Sequence, residues 1–416
     1  MRLPTNNIYL DNEEQDSSIS MTQTLGVRRG QKYHRENSSM ILRAKTIDLL
    51  SINELTKERL TNSILNKSEI KVNKQILESV PQRLVFELTN ACNISCVMCG
   101  RNAADFAPTK FNAKWFEKFH SIMDKIEEVT LIGWGEPTVH PDFTDMLKTL
   151  DKYGVRKYFC TNGMLLHKLK DVVFKNKVDI IAVSIDGLEK TNNRIRRGSN
   201  YSLIISSLKD ITNIKREKKL SYPYINFVFA AMQSNITELA DVVKLAADIG
   251  LEEVKVVYLT AFDEKFLPET LYDKMDMVKE HFNHAINVAE RLNVKIKLPY
   301  LVGEDPAGDK AHKDCTTLWR DFFLGSDGYV RPCMSSSVKL FHIDKYRNFD
   351  EMWNSGELQN WRKTVNSENM HESCANCYQS SFANWNKQYA FNQVTHKFSP
   401  EWAAPALTSG LPGTDF

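Results

Sequence analysis

Between residues 83 and 258 the apolar positions fall into six short runs separated by longer stretches in which apolar and polar residues mix. The runs are 83–88, 128–132, 156–160, 179–184, 225–230 and 253–258. Each has strand length and polar or turn-forming boundaries. Between them, segments such as Ala113 to Ile126 and Ile236 to Ile249 carry apolar residues at helical spacing. Strand and helix alternating at this rhythm predict right-handed crossovers and a parallel sheet. After Lys295 the rhythm stops, so six βα units, a partial barrel, are expected rather than a closed eight.

The flanks read differently. Residues 1–39 are polar without a sustained period, which predicts a flexible arm. From Met40 to Val80, Ile41, Ile47, Leu50, Leu55, Leu60, Ile64 and Leu65 recur at helix-like intervals, which predicts a helical extension over 40–82 packed on the following domain. A winged-helix unit of the kind that binds a peptide leader needs alternating strands, and none is legible there. Phe322 to Val330 carries two apolar runs around Ser-Asp-Gly, which is hairpin chemistry. Asp350 to Trp361 reads as one helix. The expected division is an arm (1–39), a helical extension (40–82), an α/β core (83–300), a small α+β unit (301–398) and a tail (399–416). Phe382, Trp385, Tyr389 and Phe391 are expected to pack on the barrel rather than cover its mouth.

Apolar residues make up 42% of the 416 and charged residues 25%, with a formal net charge of +2. That is a globular balance with no basic tract for nucleic acid. No run approaches the ~20 apolar residues that span a bilayer, and no signal-type segment is present, so a cytoplasmic protein without a membrane partner is expected. Eight cysteines in such a compartment point to metal or redox chemistry rather than disulfides. Cys160, at the end of its strand-like run, is the exception and is expected in the core.

Cys92, Cys96 and Cys99 stand in a Cys-x3-Cys-x2-Cys spacing just past the first run. Three thiolates hold three irons of a cubane and leave the fourth open to a non-protein ligand, which makes a site for chemistry. A zinc site completed by a distant ligand is the alternative on spacing alone. Three more motifs follow later strand ends: Gly133-Trp-Gly-Glu-Pro137, Thr161-Asn-Gly163 and Ser184-Ile-Asp-Gly187. Strand ends are where the loops of an α/β sheet gather a cofactor site.

These four motifs in this order resemble the radical S-adenosylmethionine (SAM) superfamily. The resemblance implies a partial (βα)6 barrel, a SAM-binding 4Fe-4S cluster on Cys92, Cys96 and Cys99, and SAM as co-substrate, cleaved reductively to a 5'-deoxyadenosyl radical. It places Met98 near the adenine, where the family usually has an aromatic residue. Gly135 would let backbone approach the cofactor, and Glu136 would accept from the methionyl ammonium, with Trp134 replacing the first glycine of the commoner motif. Asn162, Ser184 and Asp186 fall where the family contacts the ribose or methionyl carboxylate. A flavodoxin- or ferredoxin-type electron donor is implied.

Cys315, then Gly328 and Cys333 in a Gly-x4-Cys arrangement, then Cys374-Ala-Asn-Cys377, resemble the C-terminal extension of the family's SPASM/Twitch branch. That resemblance implies an auxiliary 4Fe-4S cluster held by Cys315, Cys333, Cys374 and Cys377. Full ligation suits it to accepting or relaying an electron. Four cysteines also suit a zinc knuckle. No cysteine follows Cys377, so a second auxiliary cluster is not expected.

The implied activity is hydrogen abstraction from a small hydroxylated metabolite or a peptide. The missing leader-recognition pattern tilts the expectation toward the small molecule. Maturation of a ribosomal peptide, by a crosslink or an epimerisation, is the alternative, and a non-catalytic metal-binding scaffold is the second. For substrate handling, Asp321, Arg320, Tyr258, His312 and Glu304 lie in segments that could face the barrel mouth, with no feature of the sequence to rank them.

Overall fold

A computed structural model describes residues 55–103, 107–299, 301–302, 315–375, 377 and 391–394. The expected arm (1–39), tail (399–416), His312, Glu304, Phe382, Trp385 and Tyr389 lie outside the described residues, as do residues 40–54 of the extension.

The strands, in chain order, are β1 (Arg83–Phe86), β2 (Ser95–Cys96), β3 (Glu128–Leu131), β4 (Arg156–Thr161), β5 (Ile180–Ser184), β6 (Arg196–Arg197), β7 (Tyr224–Ala231), β8 (Glu253–Tyr258), β9 (Lys295–Lys297), β10 (Asp321–Leu324), β11 (Tyr329–Arg331) and β12 (Phe341–His342). One sheet takes all but β2 and β6, in the order β12-β11-β10-β1-β3-β4-β5-β7-β8-β9. From β10 to β9 every neighbouring pair is parallel. Helices such as Phe143–Lys152, Leu166–Lys175, Tyr201–Glu217 and Leu239–Ile249 make the crossovers.

The six expected strands are all present. The sheet also continues past them at both edges. β9 adds a parallel strand of only three residues, two of them lysines, so it carried no apolar run. β10 is the first arm of the expected hairpin, but its other edge pairs with β1 in parallel register, Arg83 opposite Asp321. The hairpin is thus continuous with the main sheet rather than confined to a separate unit.

Side chains alternate across the sheet. Phe159, Ile181, Val183, Phe227, Phe229, Val254 and Val256 join the main core beneath the helices. Tyr158, Ile180, Ala182 and Tyr224 make a smaller cluster with Cys160 and Val228 against it. Cys160 therefore sits half-buried on the opposite face from the main core.

Three helix expectations change in detail. Ala113–Ile122 is a 3-10 helix, matching the three-residue spacing of its buried Phe116, Phe119 and Ile122. The segment read as one helix from Asp350 is two, Phe349–Trp353 and Gly356–Thr364. Asn354 breaks it by exchanging hydrogen bonds with the Leu77 backbone, and Ser355 caps the second.

Helix Lys57–Lys71 buries its polar side, Arg59, Asn62, Ser63, Asn66 and Glu69. Arg59 donates to the carbonyls of Ile126, Gly154 and Tyr153 at 2.8, 2.9 and 2.7 Å. Leu60 and Ile64, expected against the domain, are exposed. Buried polar side chains that find backbone partners can anchor a helix as apolar ones do. Among the described residues no helix is long and apolar enough to cross a membrane.

Candidate active site

The loops that carry the four motifs leave the C-terminal ends of adjacent parallel strands: β1 for the cysteine triad, then β3, β4 and β5. Parallel register brings those ends to one rim, and the motifs meet there through hydrogen bonds.

Glu136 is the hub. Its Oε1 accepts from Thr138 N, Thr138 Oγ1 and Thr161 Oγ1 at 3.2, 2.6 and 2.7 Å, and Oε2 accepts from Asn162 N at 2.6 Å. Each carboxylate oxygen has about two acceptor positions, so Oε2, which takes only one donor, has one left for a donor such as an ammonium. Burial pushes the Glu136 pKa up, and the donors from Asn162, Thr138 and Thr161 oppose it. Gly135 admits a close approach of backbone. A Cβ there would lie 2.3 Å from the carbonyl oxygens of Thr89 and Ala91, so the glycine admits the backbone that leads into Cys92. Glu136 N donates to that same Ala91 carbonyl at 2.9 Å.

Asn162 ties the β4 loop to the cysteines. Its amide donates to Asn93 Oδ1 at 2.8 Å and to Cys92 Sγ at 3.6 Å. Cys99 N donates to Cys96 O, closing the turn that holds Met98. Met98 and Val97 pack on Ile195, Met232 and Leu259, with Phe266 completing an apolar wall. The Trp134 ring lies over Gly100, whose Cβ would come 2.7 Å from it, and meets Phe262 edge-on at 5.6 Å.

Ser184, half-buried at the end of β5, has its Oγ 3.9 Å from Cys160 Sγ. Asp186 is fully buried, accepts from Ala230 N at 2.8 Å and pairs with Arg196 Nε at 2.8 Å. The cation offsets the cost of enclosing the carboxylate. Arg196 was missed by sequence reasoning. It lies on β6 opposite Cys96 of β2 and donates from Nη1 to Cys96 Sγ at 3.7 Å. The signal was the Arg196-Arg197-Gly198 run one helix after Asp186.

The donor set suits an iron–sulfur cluster. Burial pushes Cys96 up to about 11, with Arg196 opposing, and raises Cys99 as well. Cys92 and Cys99 lie near enough to raise Cys96, and Cys92 near enough to raise Cys99. Buried thiols of that kind await a metal charge that deprotonates them outright. Among the described residues no three side chains are already drawn to metal-ligand distances, so the fit lies in the donor chemistry and in Arg196, which favours thiolate at Cys96.

At the other end of the chain, Cys315, Cys333, Cys374 and Cys377 also converge. Burial, then Cys333, Cys315 and Cys377, drive the Cys374 pKa up; burial and Cys315 bring Cys333 to about 11. Asn366, also missed, grips the Cys315 backbone with both ends of its amide at 3.0 and 2.9 Å. Ser336 meets Ser373 at 3.2 Å, joining the Cys333 turn to the Cys374 helix.

The described substrate-handling candidates, Asp321, Arg320 and Tyr258, do not gather here. Asp321 and Arg320 sit at the opposite end of the sheet, where Asp321 is buried and paired with Arg83 and Arg320. Tyr258 is on the core side, stacked 6.2 Å from Phe282 and tilted against Phe391 at 4.9 Å. Phe391 is buried, as expected, and its carbonyl accepts from Ala261 N.

Comparison with known proteins agrees with this geometry. The Radical SAM superfamily profile matches residues 86–229, and that of SPASM, an iron-sulfur cluster-binding domain, matches 315–378. A tungsten-containing aldehyde ferredoxin oxidoreductase cofactor-modifying protein of Pyrococcus furiosus is 24% identical over 71% of this chain and 86% of its own. The sporulation killing factor maturation protein SkfB of Bacillus subtilis is 23% identical over 64% and 63%. Streptococcus suis SuiB bound to precursor peptide SuiA shares the fold, with a TM-score of 0.56 at 17% identity over 77% of each chain.

Proposed function

Because the chain belongs to the radical SAM superfamily and carries a SPASM iron-sulfur domain, we propose that this enzyme abstracts a hydrogen atom from a side chain of a peptide substrate. Its cofactors are a SAM-binding 4Fe-4S cluster, SAM itself and an auxiliary 4Fe-4S cluster. When bound, the first cluster supplies the electron that splits SAM to the 5'-deoxyadenosyl radical, which takes the substrate hydrogen.

The residues divide the remaining work. Cys92, Cys96 and Cys99 would hold the first cluster and Cys315, Cys333, Cys374 and Cys377 the second. Glu136 keeps three loops in register and offers one oxygen position to the methionyl ammonium. Arg196, fixed by Asp186, places positive charge against Cys96 and would favour the thiolate that holds the cluster. Ser184 offers a hydroxyl on the inner side of the rim. A flavodoxin- or ferredoxin-type protein would supply the reducing electron, and the group held by Cys315, Cys333, Cys374 and Cys377 would supply an electron acceptor.

The partly exposed apolar surface of Val97, Met98 and Phe266, backed by the buried Ile195, Met232 and Leu259 beside the cysteine turn, carries the peptide reading. A polyhydroxylated metabolite laid on it would lose hydrogen bonds to water with nothing in return, whereas an apolar side chain would gain. SkfB, named as a maturation protein, supports the same direction. The small-molecule reading is favoured by the cofactor-modifying relative, which matches more of the chain.

Deuterium transfer separates the two. A deuterated cell extract, divided into peptide and metabolite fractions, is supplied to reduced enzyme with SAM, and label in 5'-deoxyadenosine is read by mass spectrometry. Label from the peptide fraction supports the proposal; label from the metabolite fraction alone overturns it.

A further inference from the structure

Glu87 follows β1 and is used by none of the motifs, yet it joins two parts of the molecule that serve different clusters. We propose that Glu87 is a positioning residue that couples the cofactor loop Gly133–Pro137 to the hairpin leading into Cys333. Its Oε1 accepts from Trp134 N at 2.8 Å, within that loop. Its Oε2 accepts from Ser326 Oγ at 2.9 Å and Ser326 N at 3.3 Å, in the turn between β10 and β11. Its own N–H donates to Leu324 O at 3.0 Å, at the end of β10.

Both sides of this bridge are stiff. On the cofactor side the loop lies flat on the carboxylate: a Cβ on Gly133 would fall 2.3 Å from Glu87 Cγ. The Trp134 ring in turn rests on Gly100, next to Cys99. On the auxiliary side Ser326 Oγ also meets Thr109 Oγ1 at 2.6 Å. Arg331 clamps the same turn through Asp327, with Nη1–Oδ1 and Nη2–Oδ2 at 2.9 and 2.7 Å, and its charge faces Glu87. Cys333 stands two residues beyond Arg331. Contacts therefore run without a break from the Cys99 turn through Trp134, Glu87 and Ser326 to the strand that delivers Cys333.

A carboxylate suits the junction because it only accepts. Trp134 N–H, Ser326 N–H and Ser326 O–H all point inward, and an amide in its place would turn one of those oxygens into a donor facing a donor. A shift of the cofactor loop when SAM binds is thereby passed to the hairpin. A chain of contacts is a claim of coupling only when the coupling is measured.

The test is amide hydrogen exchange of the reconstituted holoenzyme with and without SAM, for wild type, Glu87→Gln and Ser326→Ala. In wild type, SAM is expected to slow exchange both at Gly133–Glu136 and at Ser326–Tyr329. In both variants the first effect remains, reporting that SAM still binds, and the second is lost. A hairpin response of wild-type size in either folded variant, or none in wild type, overturns the proposal. Should Glu87→Gln fail to load its clusters, Ser326→Ala decides, because it removes one hydroxyl and leaves the carboxylate. The outcome is independent of which substrate the enzyme takes and so stands or falls apart from the peptide reading.

Discussion

Asp186 and Arg196 form an ion pair, Oδ2 to Nε at 2.8 Å, in which the carboxylate is wholly excluded from solvent. Removing one member of such a pair leaves the other charged and buried, which costs roughly 3–5 kcal/mol. Asp186→Asn is expected to lower stability by about that amount in urea unfolding, and to reduce retention of the first cluster because Arg196 loses the partner that holds it at Cys96. A loss within about 1 kcal/mol, the range of a surface pair, would show that Arg196 is placed by something else.

Glu136→Gln keeps the shape of the hub but replaces an acceptor with a donor. Whichever oxygen becomes nitrogen then faces an N–H or O–H already pointing at it, from Thr138, Thr161 or Asn162. An unmet buried donor costs about 1–3 kcal/mol, which translates to about a fivefold to 150-fold loss of SAM affinity if the binding conformation bears it. Isothermal titration with SAM, on protein whose iron content equals wild type, reads this directly. Unchanged affinity would remove Glu136 from the cofactor site.

Asp321 carries a pH dependence of defined sign. Burial raises its pKa, but Arg320 and Arg83 outweigh that and hold it well below the ordinary carboxylate range. A depressed folded-state pKa contributes stability that is complete above the unfolded value, about 3.9, and is lost as pH falls toward the folded one. Asp321→Asn should therefore be less stable at pH 7 and should lose less of its remaining stability between about pH 4 and pH 2 than wild type. Parallel acid limbs in urea-denaturation series of the two proteins would contradict the assignment.

The strands and the loops that follow β1, β3, β4 and β5 were legible because parallel strands buried on both faces leave continuous apolar runs, and the motifs come directly after them. What the sequence hid was pairing over distance. β10 joins β1 across 238 residues at Arg83 and Asp321, and nothing local in either strand announces it. Helix Lys57–Lys71 misled for a related reason. Its apolar residues carried the period, but Arg59 and Asn62 found backbone carbonyls to bond, so the polar side went inward. In the site, a buried acid implied a buried base, which makes Arg196 inferable in hindsight from Asp186; Asn366 had no such sign.

The auxiliary site is expected to load independently of the first. Cys374→Ser weakens a thiolate that Cys315, Cys333 and Cys377 all face, and should bring bound iron from about eight atoms to about four, with the SAM-responsive electron paramagnetic resonance signal retained. Asn366→Ala frees the Cys315 backbone from both amide contacts and should give an intermediate iron content that rises with longer reconstitution. Full iron in Cys374→Ser would mean that another ligand completes that cluster.

Gly135→Ala tests whether the close approach of two backbones, rather than side-chain chemistry, sets the cofactor loop. The added methyl would fall 2.3 Å from two carbonyl oxygens, Thr89 O and Ala91 O, and neither can turn aside because both belong to the backbone entering Cys92. The loop must therefore withdraw, breaking the Glu136 N to Ala91 O bond and carrying Glu136 away from Asn162. Gly356→Ala is the matched control: nothing lies within 4 Å of its Cβ position, and it begins a helix, where alanine is favoured. The first variant is expected to lose SAM binding at least as severely as Glu136→Gln, and the second to match or slightly exceed wild-type thermal stability. If Gly135→Ala bound SAM as wild type does, the Thr89–Ala91 segment would have to be free to move, and the rigid rim from which Glu136 and the cysteine turn are argued to act together would not exist.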